Sequence, residues 1–205
     1  MLELITLNWR IKVKLRNLIV SLGLVLVLFT SAWAEKNENL LVNGDLSSPK
    51  IEKGMIAYAN DSGDYWKFVS GHNPINSSGW VFQLHNATAN TAEDAWKNQL
   101  VWRDGKGFEI KKGAQYEFQI WVMPGQEEYQ IDVGLQKAYS WENLGLWFRV
   151  SNDTDKKWHI QAKPGEWTHL NFNFTATGDS DAPNLFIHQR SRGVMEIGGV
   201  ILFEK

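Results

Sequence analysis

Apolar side chains recur at every second position through most of this chain, and no long stretch holds a helical repeat. Tyr116, Phe118, Ile120 and Val122 fall on one face of a run whose other face carries Glu117, Gln119 and Trp121. Tyr129, Ile131, Val133 and Leu135 repeat the pattern, as do Leu170, Phe172 and Phe174. Shorter runs at 40–42, 80–84, 99–102, 146–150, 158–162, 185–188 and 200–203 read as further strands, because a period of two sends alternate side chains to opposite faces of a sheet. Turn-forming residues separate them: Asn43-Gly44, Lys112-Gly113, Pro124-Gly125, Lys163-Pro164-Gly165 and Ala182-Pro183. About ten short strands with one apolar face each cannot close a core singly. Two antiparallel sheets must pack face to face, so the expected fold is an all-β sandwich or jelly roll. Residues 50–76, rich in Gly, Asn, Asp and Ser, read as long loops with a strand or two.

A different grammar precedes the alternation. Arg10, Lys12, Lys14 and Arg16 lead into an apolar run over 18–29, followed by Ser31-Ala32-Trp33-Ala34. Basic, apolar and small-residue parts in that order make a cleavable secretory signal peptide. The apolar run is shorter than the ~20 residues of a spanning helix. Residues 1–34 are therefore expected to be removed, leaving one domain over 35–205 that is secreted or periplasmic and has no membrane contact. Taking Glu3 and the four basic residues from 23 acidic and 21 basic side chains leaves a net charge of −5. Such a surface gives no reason to expect nucleic acid as a partner. There is no cysteine, so neither a disulfide nor a thiol-borne lipid anchor is available.

Five segments, in order, carry a resemblance. Asn39-Leu40-Leu41-Val42-Asn43-Gly44-Asp45-Leu46 resembles the opening strand of carbohydrate-binding modules of the family 4, 9 and 22 group. Ala95-Trp96-Lys97-Asn98-Gln99-Leu100 is similar to their tryptophan-to-glutamine strand. The run from Lys112-Gly113 through Tyr116 to Trp121 resembles their strand of glycine, tyrosine and alternating apolar residues. Gly165-Glu166-Trp167 with Phe172 and Phe174 resembles the late tryptophan strand, and Gly198-Gly199-Val200-Ile201-Leu202 the closing one. The resemblance implies a jelly roll that binds polysaccharide, of the β-glucan or xylan class, without catalysis, in a cleft on one sheet. These modules commonly hold a structural calcium through a glutamate after the opening motif and an aspartate in the closing strand. Ser47 and Gly198 or Gly199 stand at the matching positions, and losing two carboxylates removes most of the attraction for calcium. No cofactor is expected, and the calcium is expected to be weak or absent.

A glycan offers flat C–H patches alternating with hydroxyls, which aromatic faces and side-chain amides or carboxylates match. Of 11 tryptophans, nine lie beyond the leader, more than a core of this size needs. Trp121 with Gln119 and Glu117 is expected to face outward beside Gln130, Asp132 and Gln136 of the next strand, as a cleft. Tyr139 and Trp141 sit between two strands, Trp66 and Trp80 flank the long loops, and Gln99 and His188 complete the carbohydrate-binding candidates. Trp96, Trp158 and Trp167 are expected in the core. The five histidines show no ligand-like spacing, so no metal site is expected. A polysaccharide hydrolase or lyase is the alternative, and Asp132 with Glu117 is the carboxylate pair that would serve it. No nucleophile elbow or phosphate-cradling glycine loop is present. A surface or adhesive domain with a protein partner is the third reading. The expected state is a monomer with a polysaccharide or oligosaccharide partner.

Overall fold

The computed structural model describes residues 38–58, 66–77, 79–86, 99–103, 108–125, 128–153, 155–156 and 159–205. The leader, Trp96 and Trp158 lie outside the described residues. Ten strands follow in order: β1 (Met55–Tyr58), β2 (Trp66–Ser70), β3 (Trp80–Asn86), β4 (Gln99–Arg103), β5 (Gln115–Pro124), β6 (Gln130–Lys137), β7 (Asn143–Ser151), β8 (Thr168–Thr175), β9 (Pro183–Gln189) and β10 (Gly193–Glu204). They form two five-stranded antiparallel sheets, in the orders β1-β4-β9-β6-β7 and β2-β3-β10-β5-β8. This is the two-sheet sandwich that the alternation predicts and the jelly roll that the resemblance implies, and the described residues contain no helix.

The inner faces follow the two-residue period. Tyr116, Phe118, Ile120 and Val122 of β5 are buried against Ile131, Val133 and Leu135 of β6 and Leu144, Leu146, Phe148 and Val150 of β7 in one core. Burial of each large apolar side chain contributes about 1.5–3 kcal/mol. Trp102 is buried too, and its indole Nε1 donates to the Val42 carbonyl at 2.8 Å, so no polar atom of that ring is stranded.

Two expected strands are not strands. Residues 40–46 are turns, with Asn43 and Leu46 in the left-handed region (φ 48° and 54°) and the Asn43 amide donating to the carbonyls of Ser48 and Lys50. Their apolar residues still reach the core through Leu41 and Leu46. Around Ile160 there is a single bridge to Val150 instead of a ladder. The irregular stretch over 50–76 supplies β1 and β2.

The chain crosses between sheets after β5. β5 therefore pairs with β8 and β10, whereas β6 pairs with β7 and β9. This corrects the expected adjacency of Glu117, Gln119 and Trp121 with Gln130, Asp132 and Gln136. Consecutive strands often pair, but here they belong to opposite sheets and present their polar faces on opposite sides. Asp132 and Glu117 are thus no pair.

Candidate binding cleft

On the outer face of the β1-β4-β9-β6-β7 sheet the registers place side chains in three rows. The first runs Gln99, His188, Asp132, Arg149; the second Val101, Phe186, Gly134, Trp147; the third Arg103, Asn184, Gln136, Asn143. The centre of this grid is a cleft of about 370 Å³ whose walls include Gln99, Gln136, Asn184, Trp141, Trp147 and Phe186.

Gly134 sets its floor. A Cβ there would lie 2.7 Å from Phe186 Cζ and 3.0 Å from Trp147 Cδ1, so both rings lean over a position where no side chain fits. Trp147 keeps 46% of its surface exposed, with the Arg149 guanidinium 5.8 Å from its ring centroid. The two aromatics therefore present an apolar platform flanked by amides above and below. Asn184 Oδ1 is buried and has no hydrogen-bond partner. A buried acceptor left unmatched costs about 1–3 kcal/mol, a cost that a ligand hydroxyl would offset.

The first row is ionic. Asp132, 2% exposed, accepts from Arg149 through Nε and through Nη2 (2.8 Å), and from Arg190 Nε at 2.9 Å. The Asp132 carboxylate holds Arg149 above its ordinary range. Burial, helped by the Arg190 guanidinium, pushes His188 down to about 4, so this imidazole is neutral at physiological pH.

The β6–β7 turn closes one end. Tyr139 and Trp141 are 85% and 76% exposed and both take left-handed φ (66° and 60°). Such backbone costs about 1–3 kcal/mol for a residue other than glycine. Trp141 lines the cleft, and Arg103 Cζ sits 4.7 Å from the Tyr139 ring centroid.

Of the residues singled out in the sequence, Gln99, Asp132, Gln136, Trp141 and His188 converge here, with Tyr139 at the margin. Gln130 lines an adjoining hollow of about 490 Å³ with Glu128, Asp153 and Arg190. Trp66 instead packs on the core edge, stacked 5.6 Å from Phe82, and Trp80 belongs to β3 in the opposite sheet. Glu117, Gln119 and Trp121 share the outer face of that sheet with His169 and Asn171 of β8. There Glu117 accepts from Gln119, Asn171 and Lys205 at 2.7, 2.9 and 2.9 Å, and the Trp121 ring stacks on His169 at 4.1 Å. Trp167 is not in the core: it is half-buried, its Cη2 3.0 Å from where a Gly198 side chain would begin. Its odd position puts it in phase with His169 and Asn171, outside, and not with Leu170, Phe172 and Phe174.

Trp147, Phe186, Asn184, Arg149 and Arg190 were not among the sequence candidates. The alternation of Leu144, Leu146, Phe148 and Val150 points Trp147 and Arg149 outward by the rule applied to Trp121, so those two were findable. Phe186 was hidden in the unbroken apolar run Leu185-Phe186-Ile187.

Two other clusters lack catalytic or metal geometry. Ser151 Oγ and Asp153 Oδ2 both approach Nδ1 of His159, at 2.8 and 4.0 Å, whereas a relay needs nucleophile and acid on opposite ring nitrogens. Among the described residues no three His, Asp or Glu side chains are grouped to hold an ion, and no helix is long and apolar enough to cross a membrane.

No protein-family model and no curated protein sequence matches the chain. Solved structures do match in fold. A family 4 carbohydrate-binding module superposes with a TM-score of 0.54 at 13% identity, over 80% of this chain and 99% of that one. The CBM22-1 xylan-binding domain of Paenibacillus barcinonensis Xyn10C gives 0.53 at 10% identity, over 82% and 96%. The family 61 module TmCBM61, in complex with β-1,4-galactotriose, gives 0.52 at 12% identity, over 82% and 99%. The chain has the jelly-roll fold of these carbohydrate-binding modules along essentially their whole length.

Proposed function

We propose that this domain binds polysaccharide, of the β-glucan or xylan class, in the cleft on the β1-β4-β9-β6-β7 sheet without cleaving it. The observation that carries the reading is the platform of Phe186 and Trp147 over Gly134, flanked by the amides of Gln99, Gln136 and Asn184. Aromatic faces suit the C–H side of a pyranose, and amides bridge pairs of hydroxyls. The unmatched Asn184 Oδ1 adds an acceptor already desolvated. Exposed, strained Tyr139 and Trp141 extend the aromatic surface toward one end, and loops set on a rigid sheet commonly carry binding residues. The fold it shares with xylan- and galactotriose-binding modules supports the same reading.

Asp132 argues for binding over hydrolysis. Glycoside hydrolysis needs two carboxyl groups flanking the bond. Among the described residues that line the cleft Asp132 is the one carboxylate, and both its oxygens are held by guanidiniums.

Affinity electrophoresis in gels containing a soluble β-glucan or xylan tests the proposal, paired with assays for reducing ends and unsaturated products. Retardation without product is expected. Product formed by purified protein, or free migration on every neutral and charged polymer tried, would refute it.

A further inference from the structure

The β6–β7 turn places large side chains where small ones would serve. Tyr139 and Trp141 both hold left-handed backbone, which glycine adopts freely and which asparagine, as at Asn43, adopts with little strain. Leu46 has the same backbone, but its side chain is fully buried, and that burial offsets the strain. Tyr139 and Trp141 are instead the most exposed large apolar side chains among the described residues. Burial therefore offsets nothing there, and strain kept without burial points to function. The turn is also held firmly. Lys137 N donates to the Glu142 carbonyl at 2.9 Å, and Ala138 N donates to that of Ala182, ahead of β9, at 3.1 Å. The Tyr139 ring and the Arg103 guanidinium meet across β9, because β9 lies between β6 and β4 in the sheet. A guanidinium over one face steadies the ring, and its exposure leaves the other face open.

The cleft leads to this turn. Its wall takes Asn184, Phe186 and His188 from β9 and Arg190 just after it, a span of about 20 Å along an extended chain. Asn184 pairs with Gln136, one residue from the end of β6, so Trp141 closes the Asn184 end of that span. A glycan laid along β9 passes from the Phe186 and Trp147 rings over the amides of Asn184 and Gln136 to Trp141, with Tyr139 beyond. Resting on the proposed polysaccharide binding, we infer that the β6–β7 turn is a second aromatic subsite, in which Trp141 and Tyr139 stack on a sugar further along the same chain. The domain thereby selects runs of several sugars over short oligosaccharides, and Tyr139 is the residue that reads length.

Oligosaccharides of graded length test the subsite. The probes are cello-, laminari- and xylo-oligosaccharides from disaccharide to hexasaccharide, titrated calorimetrically. In the series that binds, the wild-type hexasaccharide is expected to bind at least about tenfold more tightly than the trisaccharide, the gain of one further aromatic stack. Tyr139→Gly suits the left-handed backbone and removes the ring, so it is expected to bring that ratio close to one. Tyr139→Phe keeps the ring and is expected to keep the ratio, as is Trp121→Ala on the opposite sheet. Should Tyr139→Gly fail to fold, Tyr139→Asn, which suits the same backbone, takes its place. Equal affinity for trisaccharide and hexasaccharide in the wild type overturns the inference and leaves polysaccharide binding standing. A ratio that survives loss of the ring, or that falls equally in Tyr139→Phe or Trp121→Ala, also overturns it. No binding to any series at any length defeats the underlying reading.

Discussion

The two outer faces of the sandwich carry similar residues and use them differently. On the β2-β3-β10-β5-β8 side Glu117, Gln119, Asn171, His169 and Lys205 bond one another, and the tryptophan is capped by an imidazole. A little further along, Glu196 accepts from Gln83 at 2.9 Å and lies 3.0 Å from His72. Side chains on this face satisfy one another and lie over a filled sheet. On the β1-β4-β9-β6-β7 side a glycine opens the floor, two aromatics lean over it, and an amide oxygen is buried without a partner. Tryptophan beside amides and carboxylates is therefore not sufficient to mark a site. What distinguishes the cleft is the floor left open at Gly134 beneath two rings, beside the buried, unmatched Asn184 Oδ1.

The largest contrast is expected at the two carboxylates. Asp132→Asn leaves two guanidiniums around a neutral, buried partner, and breaking a buried ion pair from one side typically costs about 3–5 kcal/mol. Glu117→Gln, on the other face, loosens a pair with half-exposed Lys205 and should cost below about 1 kcal/mol. Urea unfolding of both variants measures the difference. Similar losses would mean that the two networks are buried alike.

Acid should weaken the domain through His188. Below its unfolded pKa of 6.5 the unfolded chain takes up a proton there that the folded chain refuses until about pH 4. Stability is thus fully kept above 6.5 and falls as pH drops toward 4, by about 3 kcal/mol at most. His188→Gln should flatten that part of a plot of stability against pH. An unchanged slope would show that other groups set it.

Gly134→Ala tests the floor. Its Cβ meets the Phe186 and Trp147 rings at 3.0 Å or less, and overpacking of this kind costs about 1–3 kcal/mol. Glycan affinity should fall with it, because the rings can clear the methyl group only by leaving their platform. Intact affinity in a folded variant would detach the platform from binding. The smallest effect is expected from a chelator. With Ser47, Gly198 and Gly199 where the resembling family places acidic ligands, it should move the melting temperature by less than about 2 °C.

Much of the sandwich was legible because period two is a local property. It identified the buried faces of β5, β6 and β8 and hence the polar residues opposite them. It could not say which strands share a sheet. That depends on where connections cross the sandwich, and the crossing between Pro124 and Gln130 carried Trp121 away from Asp132. The same rule that exposed Trp121 also exposed Trp147. Phe186 is different, since on a strand as covered as β9 both faces are apolar or buried and the period fades. Asn184 and Arg190 acquire meaning only from neighbours on other strands.

Two tryptophans to alanine, one on each face, test the central claim most directly. Both rings lie outside the core, so Trp147→Ala and Trp121→Ala should each melt within about 1 kcal/mol of wild type. Calorimetric titration with the polysaccharide that retards the wild-type domain then reads the site alone. Trp147→Ala should lose about 2 kcal/mol or more of binding, as an aromatic anchor does, while Trp121→Ala stays within about twofold of wild type. Full affinity in Trp147→Ala together with its loss in Trp121→Ala would contradict the account and move the site to the opposite sheet.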